Sequence, residues 1–228
     1  MNRTVFFDGI RPYVSLTTPN VAGFEKVLFY AEARGSRLDD LAYILATAYW
    51  ETANTMQPVR EAFWLSETWR KNNLRYWPYY GRGLVQTTWK ENYQKMSAVV
   101  GADLVNSPDL LLEWDYALPA LFIGMEQGLY TGKKLSDYLD GVDESDSEDL
   151  REFTNARRIV NGADKQVEIG KLALAFEGAL RASGYSVVVA PPAPTIPDTL
   201  SVADAKTLHS ALVEAVAFLE NKMPALAQ

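Results

Sequence analysis

The chain has 228 residues, a net charge of −7 and no cysteine. This length allows one sizeable core, 48% hydrophobic residues are typical of a folded protein, and the lack of cysteine excludes disulfides and thiolate metal sites. An acidic chain has no basic face for phosphates, so we expect no nucleic-acid partner and no attraction to anionic lipids.

The N-terminal residues bear on whether the chain carries a secretion signal. The stretch MNRTVFFDGIRPYV is interrupted by Asp8, Arg11 and Pro12, so no apolar run reaches the length of a signal peptide. No other segment approaches the roughly 20 apolar residues of a membrane span. We therefore expect a protein that starts in the cytoplasm without stable membrane insertion, and that needs another protein to reach any target outside.

Helical periodicity dominates the first half of the chain. Residues 22–34 have apolar side chains at helical spacing, and Gly35 is the expected C-cap. Asp39 and Asp40 favour the start of a second, nearly all-apolar helix that runs to Glu51. The aromatic stretch 64–80 is expected to be a short helix or a loop.

The second half also reads as helical, which places the chain in the mostly α class. Strand signals are weak and limited to 4–7 and 186–189. The acidic segment 141–149 is expected to be an exposed loop. The predicted helices are 89–100 (ended by Gly101), 110–127, a short turn at 135–138, and a last core helix at 165–182.

Composition divides the chain into a main domain at 1–185, a Pro-rich linker at 186–200 and a C-terminal helix at 201–228. The terminal helix repeats apolar residues at alternating spacings of three and four, which suits packing against another helix. It either folds back on the main domain or mediates self-association or partner binding. We expect a monomer, with self-association through this helix as the alternative.

Glu51 is the first candidate for chemistry. It ends an apolar helix, where the negative pole of the helix dipole and neighbours such as Ile44, Tyr49 and Trp50 disfavour its charged form. Both effects raise a carboxyl pKa, which suits a general acid near neutral pH. The alternative is a glutamate that simply marks the helix end at the surface.

Glu61 is the second candidate. It follows Arg60 in a loop near Pro58, where solvent and the cation favour the ionised form. An ionised carboxylate can act as a general base toward water or stabilise an oxocarbenium-like transition state. Taken alone, the dipeptide Arg60-Glu61 would be interpreted as an ordinary exposed surface pair.

The glycine-bracketed turn that follows offers a polar platform. Gly81 and Gly83 flank Arg82, and positive φ is expected there. The amides and hydroxyls after it, including Gln86 and Thr88, can hold a sugar or orient a water. Six Trp and twelve Tyr could supply flat faces for sugar rings, although most are expected to be core residues.

Other site chemistries are excluded by the residues present. The single histidine, His209, lies in the terminal helix, so neither a His-based triad nor a His-rich zinc site can form. There is no P-loop, the Gly-X-Gly turn does not follow a strand of a βαβ unit, and the acidic run at 143–149 lacks EF-hand spacing. We therefore expect no metal and no cofactor.

Together these segments resemble glycoside hydrolase family 19, and within it the phage and prophage endolysins and bacterial class I chitinases. The likeness spans residues 38–180. It is carried by five motifs in order: Tyr49–Ala53, Gln57–Glu61, Tyr79–Tyr93, Asp103–Leu110 and Arg157–Gly162.

The resemblance implies a lysozyme-like, mostly helical hydrolase domain with an inverting mechanism. Glu51 matches the general acid, Glu61 the second carboxylate, and Thr88 a position where plant members have a serine that holds the attacking water. The disulfides of plant members are missing, and the gap between the two glutamates is shorter. The substrate-binding residues expected by position in or near the motifs are Tyr80, Arg82, Gln86, Trp89, Asn92 and Asn161.

The expected function is that of an endolysin that cleaves β-1,4 bonds of peptidoglycan glycan strands for host lysis. Such a protein waits in the host cytoplasm and reaches the periplasm and cell wall after a holin opens the membrane. A chitinase, a virion-associated hydrolase and a non-catalytic glycan-binding protein remain alternatives. The motifs do not separate hydrolysis from lytic transglycosylation.

Overall fold

The computed structural model describes residues 1–142 and 145–186. Within these ranges the chain is mostly α-helical, as predicted. Residues 187–200 of the Pro-rich linker lie outside the described residues, and so do the C-terminal helix and all but the first residue of the weak strand signal at 186–189. The helices are α1 (Arg3–Ile10), α2 (Thr18–Arg34), α3 (Leu38–Glu51), α4 (Glu67–Asn73), α5 (Lys90–Val100), α6 (Trp114–Glu126), α7 (Asp146–Ala156) and α8 (Gln166–Ala182).

Helix α3 is the centre of the main core. Every residue from Leu41 to Ala48 is fully buried, which is what a helix apolar on all sides requires. Its acidic first turn faces the positive helix end, and the last helical residue is Glu51. Helix α8 packs against α3, α7 and α1, so the carboxyl end of α3 is anchored by the core of the protein.

A second, smaller core joins α5 and α6 with the segment between them. Its fully or nearly fully buried members include Tyr93, Met96, Leu104 and Leu111. Helix α5 ends at Gly101, whose φ of 67° is the left-handed conformation expected of a C-cap glycine. Gly35 ends α2 in the same way, with φ of 65°.

A two-stranded antiparallel sheet connects the segment before Glu61 with the glycine turn. Strand β1 (Val59–Arg60) pairs with β2 (Arg82–Gly83), with Val59 opposite Gly83 and Arg60 opposite Arg82. Each strand has only two residues, which is too short for a period of two to show in the sequence. This small sheet was not predicted.

Three sequence predictions are corrected by the structure. The weak strand signal at 4–7 lies inside α1, because Asn2 caps a helix there by accepting a hydrogen bond from the Val5 amide. The helix predicted at 110–127 is divided into a 3₁₀ turn, Pro108–Leu112, and α6. The acidic loop at 141–149 gives way to α7 from Asp146 onward, since acidic residues suit a first helical turn.

Two short 3₁₀ segments complete the description, at Leu135–Asp137, where a short helical turn was predicted, and at Arg157–Ile159. Within residues 1–142 and 145–186, no helix is both long and apolar enough to span a bilayer.

Candidate active site

A cleft of about 710 Å³ brings most of the predicted site residues together. Both glutamates line it, and so do Gln86, Thr88, Trp89, Asn92 and Asn161. Its other lining residues come from the end of α3, the loop after β1, and the segments near 75, 130 and 160. They include Trp50, Phe63, Trp64, Arg75, Tyr76, Thr131, Arg157 and Asp164.

Glu51 is a nearly buried carboxyl with one cationic partner. Its side chain is 14% exposed, and Oε1 accepts a hydrogen bond of 2.6 Å from Nη1 of Arg157. Burial raises the pKa of Glu51 above its ordinary value, and the attraction and hydrogen bond of Arg157 only partly oppose this shift. The protonated form is therefore favoured at a higher pH than for a free glutamate, as a general acid requires.

Arg157 is the cation that faces Glu51, and sequence reasoning did not assign it a site role. It is 1% exposed, and its Nε donates to the backbone carbonyl of Asp164 at 2.9 Å. The two contacts hold the guanidinium in one orientation beneath the cleft. The available signal was its place at the start of the motif Arg157–Gly162.

Glu61 is held by hydrogen bonds rather than by a cation. Oε1 accepts from the Tyr76 hydroxyl at 2.7 Å, and Oε2 accepts from the Gly81 amide at 3.0 Å. The Glu61 amide donates in turn to the Gly81 carbonyl at 2.7 Å, continuing the strand pairing. Both carboxylate oxygens accept a hydrogen bond, which fixes the position of the side chain.

The loop after Glu61 is held in place by hydrogen bonds from the buried side chain of Arg70. Nη1 of Arg70 donates to the carbonyls of Ala62 and Leu65, both at 2.9 Å, and more weakly to that of Glu61 at 3.4 Å. Arg70 is 6% exposed, so these carbonyls are satisfied out of solvent. This contact gives an irregular loop a defined shape next to a catalytic candidate.

The two glycines of the turn are needed for different reasons. Gly83 has φ of 82°, as expected for that position. Gly81 does not share this conformation; a Cβ there would lie 2.5 Å from Oε1 of Gln86. Gln86 itself has φ of 52°, and its Nε2 donates to the Val59 carbonyl at 3.1 Å, which ties the turn to β1.

The polar platform beyond the turn is ordered by its own hydrogen bonds. The Thr88 hydroxyl donates to the Gln86 carbonyl at 2.8 Å, and Nδ2 of Asn92 donates to the Thr88 carbonyl at 3.0 Å. Trp89 follows with φ of 74°, an uncommon conformation for a bulky residue of the kind that clusters at functional sites. The Thr88 oxygen keeps lone pairs that can accept a hydrogen bond from a water.

Tyr80 and Arg82, which were expected to bind substrate, do not line this cleft. Arg82 is 3% exposed, its Nε pairs with Asp109 at 2.7 Å, and its guanidinium carbon lies 3.7 Å from the centre of the Tyr80 ring. The Tyr80 hydroxyl donates to Glu67 at 2.8 Å. Both side chains make contacts within the protein. With Glu67 and Asp109 they form a bracing cluster that supports the turn outside the cleft.

Asp109 links this bracing cluster to β1 because it also pairs with Arg60 at 2.7 Å. Burial by itself would raise the pKa of Asp109, but hydrogen bonds from Arg60 and Arg82 keep that pKa below its ordinary value. The carboxylate therefore stays ionised and joins the two strands at their outer ends.

An aromatic wall lines the cleft beside the platform. Trp64 is 68% exposed, and Phe63 and Trp89 are each 44% exposed. Phe63 meets Trp64 edge to face at 5.1 Å, and Tyr76 meets Trp89 in the same way at 5.0 Å. Sequence reasoning expected most aromatic residues to be core and did not single out Phe63, Trp64 or Tyr76, because 64–80 lacks a clear period.

Comparison with known proteins agrees with this geometry. Residues 42–118, a third of the chain, match the family described as Chitinase class I, and this region contains both glutamates and the glycine turn. A 34-residue stretch is 59% identical to Chitinase 11 of Oryza sativa subsp. japonica. That stretch is 15% of this chain and spans only 13% of the rice protein.

The fold has a counterpart among solved structures. Chitinase C from Streptomyces griseus superposes with a TM-score of 0.51 at 18% identity, covering 82% of this chain and 77% of that protein. At this identity the likeness concerns the fold, which is lysozyme-like. The chain is thus similar to glycoside hydrolase family 19 in fold, and residues 42–118 match a chitinase class I region.

Proposed function

We propose that the protein is a glycoside hydrolase that cleaves β-1,4 bonds in polymers of N-acetylated sugars, with Glu51 as general acid. The observation that carries this proposal is the pairing of two unlike carboxyls in one cleft. Glu51 is buried with a raised pKa, whereas both oxygens of Glu61 accept hydrogen bonds. Carboxyl groups in environments this different are the mark of an acid and a base.

The proposed step begins with proton transfer from Glu51 to the glycosidic oxygen, which breaks the bond to the anomeric carbon. Glu61 takes a proton from a water that attacks that carbon, so each carboxyl ends in the opposite protonation state. Thr88 is placed on the cleft lining to accept a hydrogen bond from this water. Arg157 stabilises the Glu51 carboxylate formed after its proton has left.

The aromatic wall supports a carbohydrate ligand. Large apolar rings left open to solvent beside a polar cleft are costly unless a ligand covers them. Sugars present flat faces of C–H groups that pack on such rings, while their hydroxyls reach the polar lining. Trp64, Phe63 and Trp89 supply the rings, and Gln86, Asn92 and Asn161 supply polar groups in the same cleft.

For the polymer we propose bacterial peptidoglycan, with the protein acting as an endolysin. Support comes from the resemblance to phage and prophage endolysins and from the absence of cysteine, which suits storage in a reducing cytoplasm. In this role the protein accumulates in the host cytoplasm and reaches the cell wall after a holin opens the membrane. Its partners are then glycan strands rather than nucleic acid or lipid.

Chitinase activity is the second candidate function. The rice relative and the Streptomyces structure are both named chitinases, and chitin shares β-1,4-linked N-acetylglucosamine with peptidoglycan. The catalytic groups in the cleft act on a bond that both polymers contain. Only groups that read the rest of the polymer can separate them.

The decisive experiment is product analysis after incubation with purified sacculi and, separately, with chitin oligomers. We expect soluble muropeptides with new reducing ends from sacculi. A 1,6-anhydro end would instead identify a lytic transglycosylase, and intact sacculi with cleaved chitin oligomers would favour the chitinase. Lysis by Glu51→Gln equal to that of the unmodified chain would reject the proposed role of Glu51 and favour a non-catalytic glycan-binding protein.

A further inference from the structure

Arg75 differs from the other arginines of the cleft. Arg60, Arg75 and Arg157 all line it, but Arg60 is paired with Asp109 at 2.7 Å and Arg157 with Glu51 at 2.6 Å. Within residues 1–142 and 145–186, Arg75 has no carboxylate partner. It is exposed, and its charge therefore remains available to a ligand in the cleft.

The position of Arg75 is set by the aromatic wall. Its guanidinium carbon lies 5.3 Å from the centre of the Trp89 ring, within the range of a cation–π contact. Trp89 is in turn held edge to face by Tyr76, whose hydroxyl binds Glu61 at 2.7 Å. A guanidinium in such a contact keeps its N–H donors, which can meet a carboxylate in a two-pronged hydrogen bond.

The net charge of the protein bears on what the guanidinium of Arg75 can bind. At −7, the chain repels a polyanionic substrate at long range, so a local cation is needed where such a substrate lies against it. Chitin is a neutral polymer and offers an unpaired arginine no anionic group to pair with. Peptidoglycan carries free carboxylates on the groups that branch from its glycan strands.

We propose that Arg75, in cation–π contact with Trp89, binds a carboxylate that branches from the glycan and so selects peptidoglycan over chitin. This inference rests on the proposed function, because it concerns the substrate of the same cleft. Arg75 is here a specificity residue: it contacts the substrate away from the bond that breaks. The carboxylate belongs either to the stem peptide or, where the peptide has been removed, to the lactyl group of the sugar.

The test compares the unmodified chain with Arg75→Gln on two forms of one substrate. The first is native sacculi; the second is the same sacculi with carboxylates converted to neutral amides by carbodiimide and excess ethanolamine. We expect Arg75→Gln to lower kcat/KM on native sacculi by roughly tenfold, mainly through KM, as for loss of a charged hydrogen bond. On neutralised sacculi the unmodified chain should fall to the level of the variant, which itself should not change.

Matched variants separate charge from general damage. Arg75→Lys keeps the charge without the planar fork and should be intermediate. Arg151→Gln removes an exposed arginine on α7 outside the cleft lining and should leave kcat/KM unchanged. Strands stripped of stem peptides by an amidase identify the carboxylate: dependence on Arg75 that persists assigns the lactyl group, and dependence that disappears assigns the stem.

Equal kcat/KM for Arg75→Gln and the unmodified chain on native sacculi would overturn the inference. So would an equal loss for both chains on neutralised sacculi. If no chain turns over any glycan, the proposed function fails but Arg75 is still tested: affinity for soluble muropeptides is measured in Glu51→Gln with and without Arg75→Gln. Weaker binding of native but not neutralised fragments supports the carboxylate site, and unchanged binding rejects it.

Discussion

The two carboxyls of the cleft occupy opposite kinds of surroundings. Glu51 is the last residue of a buried helix, and its position follows from the packing of α3 on α8. Glu61 lies in a loop, and its position follows from a set of polar contacts through Tyr76, Gly81 and Arg70. One site is shaped by the apolar core and the other by hydrogen bonds.

This difference explains why the two groups suit different tasks. Desolvation at the end of α3 raises the pKa of Glu51 and favours its neutral carboxyl, whereas both oxygens of Glu61 accept hydrogen bonds that fix the direction of the side chain. The two regions should also differ in their sensitivity to mutation. Around Glu51, activity and stability should depend mainly on changes in side-chain charge. Around Glu61, they should depend mainly on changes in backbone conformation.

The largest expected effect is that of Glu51→Gln. Loss of the proton donor should lower kcat on sacculi by about 10²–10⁴-fold. The folded chain raises the pKa of Glu51, so it binds more protons than the unfolded chain, and its stability falls as pH rises through that window. Glutamine cannot ionise and so avoids this loss, but it leaves the guanidinium of Arg157, which is 1% exposed, without its carboxylate. We therefore expect the melting temperature of Glu51→Gln to depend less on pH than that of the unmodified chain between acid and neutral pH. An equal pH dependence of the two melting temperatures would contradict the account of Glu51.

The next effect is that of Arg157→Gln, which leaves Glu51 buried without its cation. Breaking a buried ion pair from one side costs about 3–5 kcal/mol. The pKa of Glu51 should rise further, which moves the basic limb of the pH–rate profile to higher pH. The loss of stability should accordingly be larger at neutral pH than at acid pH, where Glu51 is protonated in both states.

Arg157→Lys is the matched control, because it keeps a cation beneath Glu51. Its pH–rate profile should lie between those of the unmodified chain and Arg157→Gln. A basic limb that stays in place in Arg157→Gln would show that the ion pair does not govern Glu51.

For the region around Glu61, Gly81→Ala tests the role of backbone conformation. The added Cβ would meet Oε1 of Gln86 at 2.5 Å and displace a side chain bonded to Val59. We expect a loss of about 1–3 kcal/mol in unfolding free energy, together with reduced kcat. Gly178→Ala, in α8 with open space around its Cβ, should be neutral or stabilising by about 0.5–1 kcal/mol.

The smallest effect is expected for Tyr76→Phe. It removes one hydrogen bond to Glu61 and keeps the ring that supports Trp89. A net contribution of about 0.5–1.5 kcal/mol corresponds to a decrease in kcat/KM of up to about tenfold. Tyr13→Phe, at an exposed position outside the cleft lining, should change nothing in the same assay. An equal effect of the two variants would remove the argument for Tyr76.

The helical half of the site was predictable from sequence. An apolar helix requires burial, and a buried Glu51 at its end was one of two interpretations, beside a glutamate at the surface. The structure shows that α3 is buried and that the side chain of Glu51 is 14% exposed. The glycine turn was also readable, although only Gly83 needs positive φ and Gly81 is required by its neighbour instead.

The polar half could not be predicted in the same way. Tyr80 and Arg82 were expected at the substrate because they lie in a motif, yet they point to the bracing cluster around Asp109. Adjacent residues of a short turn face different sides, and the two-residue strands carry no period to tell them apart. Arg157 lies 106 positions from Glu51 along the chain, and its place in a motif does not reveal that it faces that glutamate.

The sequence by itself determined the helical class, the burial of α3 and the acid at its end, because hydrophobic periodicity is a local property of consecutive residues. The tertiary structure decided which cation faces that acid, which donors hold Glu61, and which arginine is left free above Trp89. These contacts join residues that are not neighbours in the chain. The strength of ion pairs and hydrogen bonds depends on distances between side chains, and only the folded chain sets those distances.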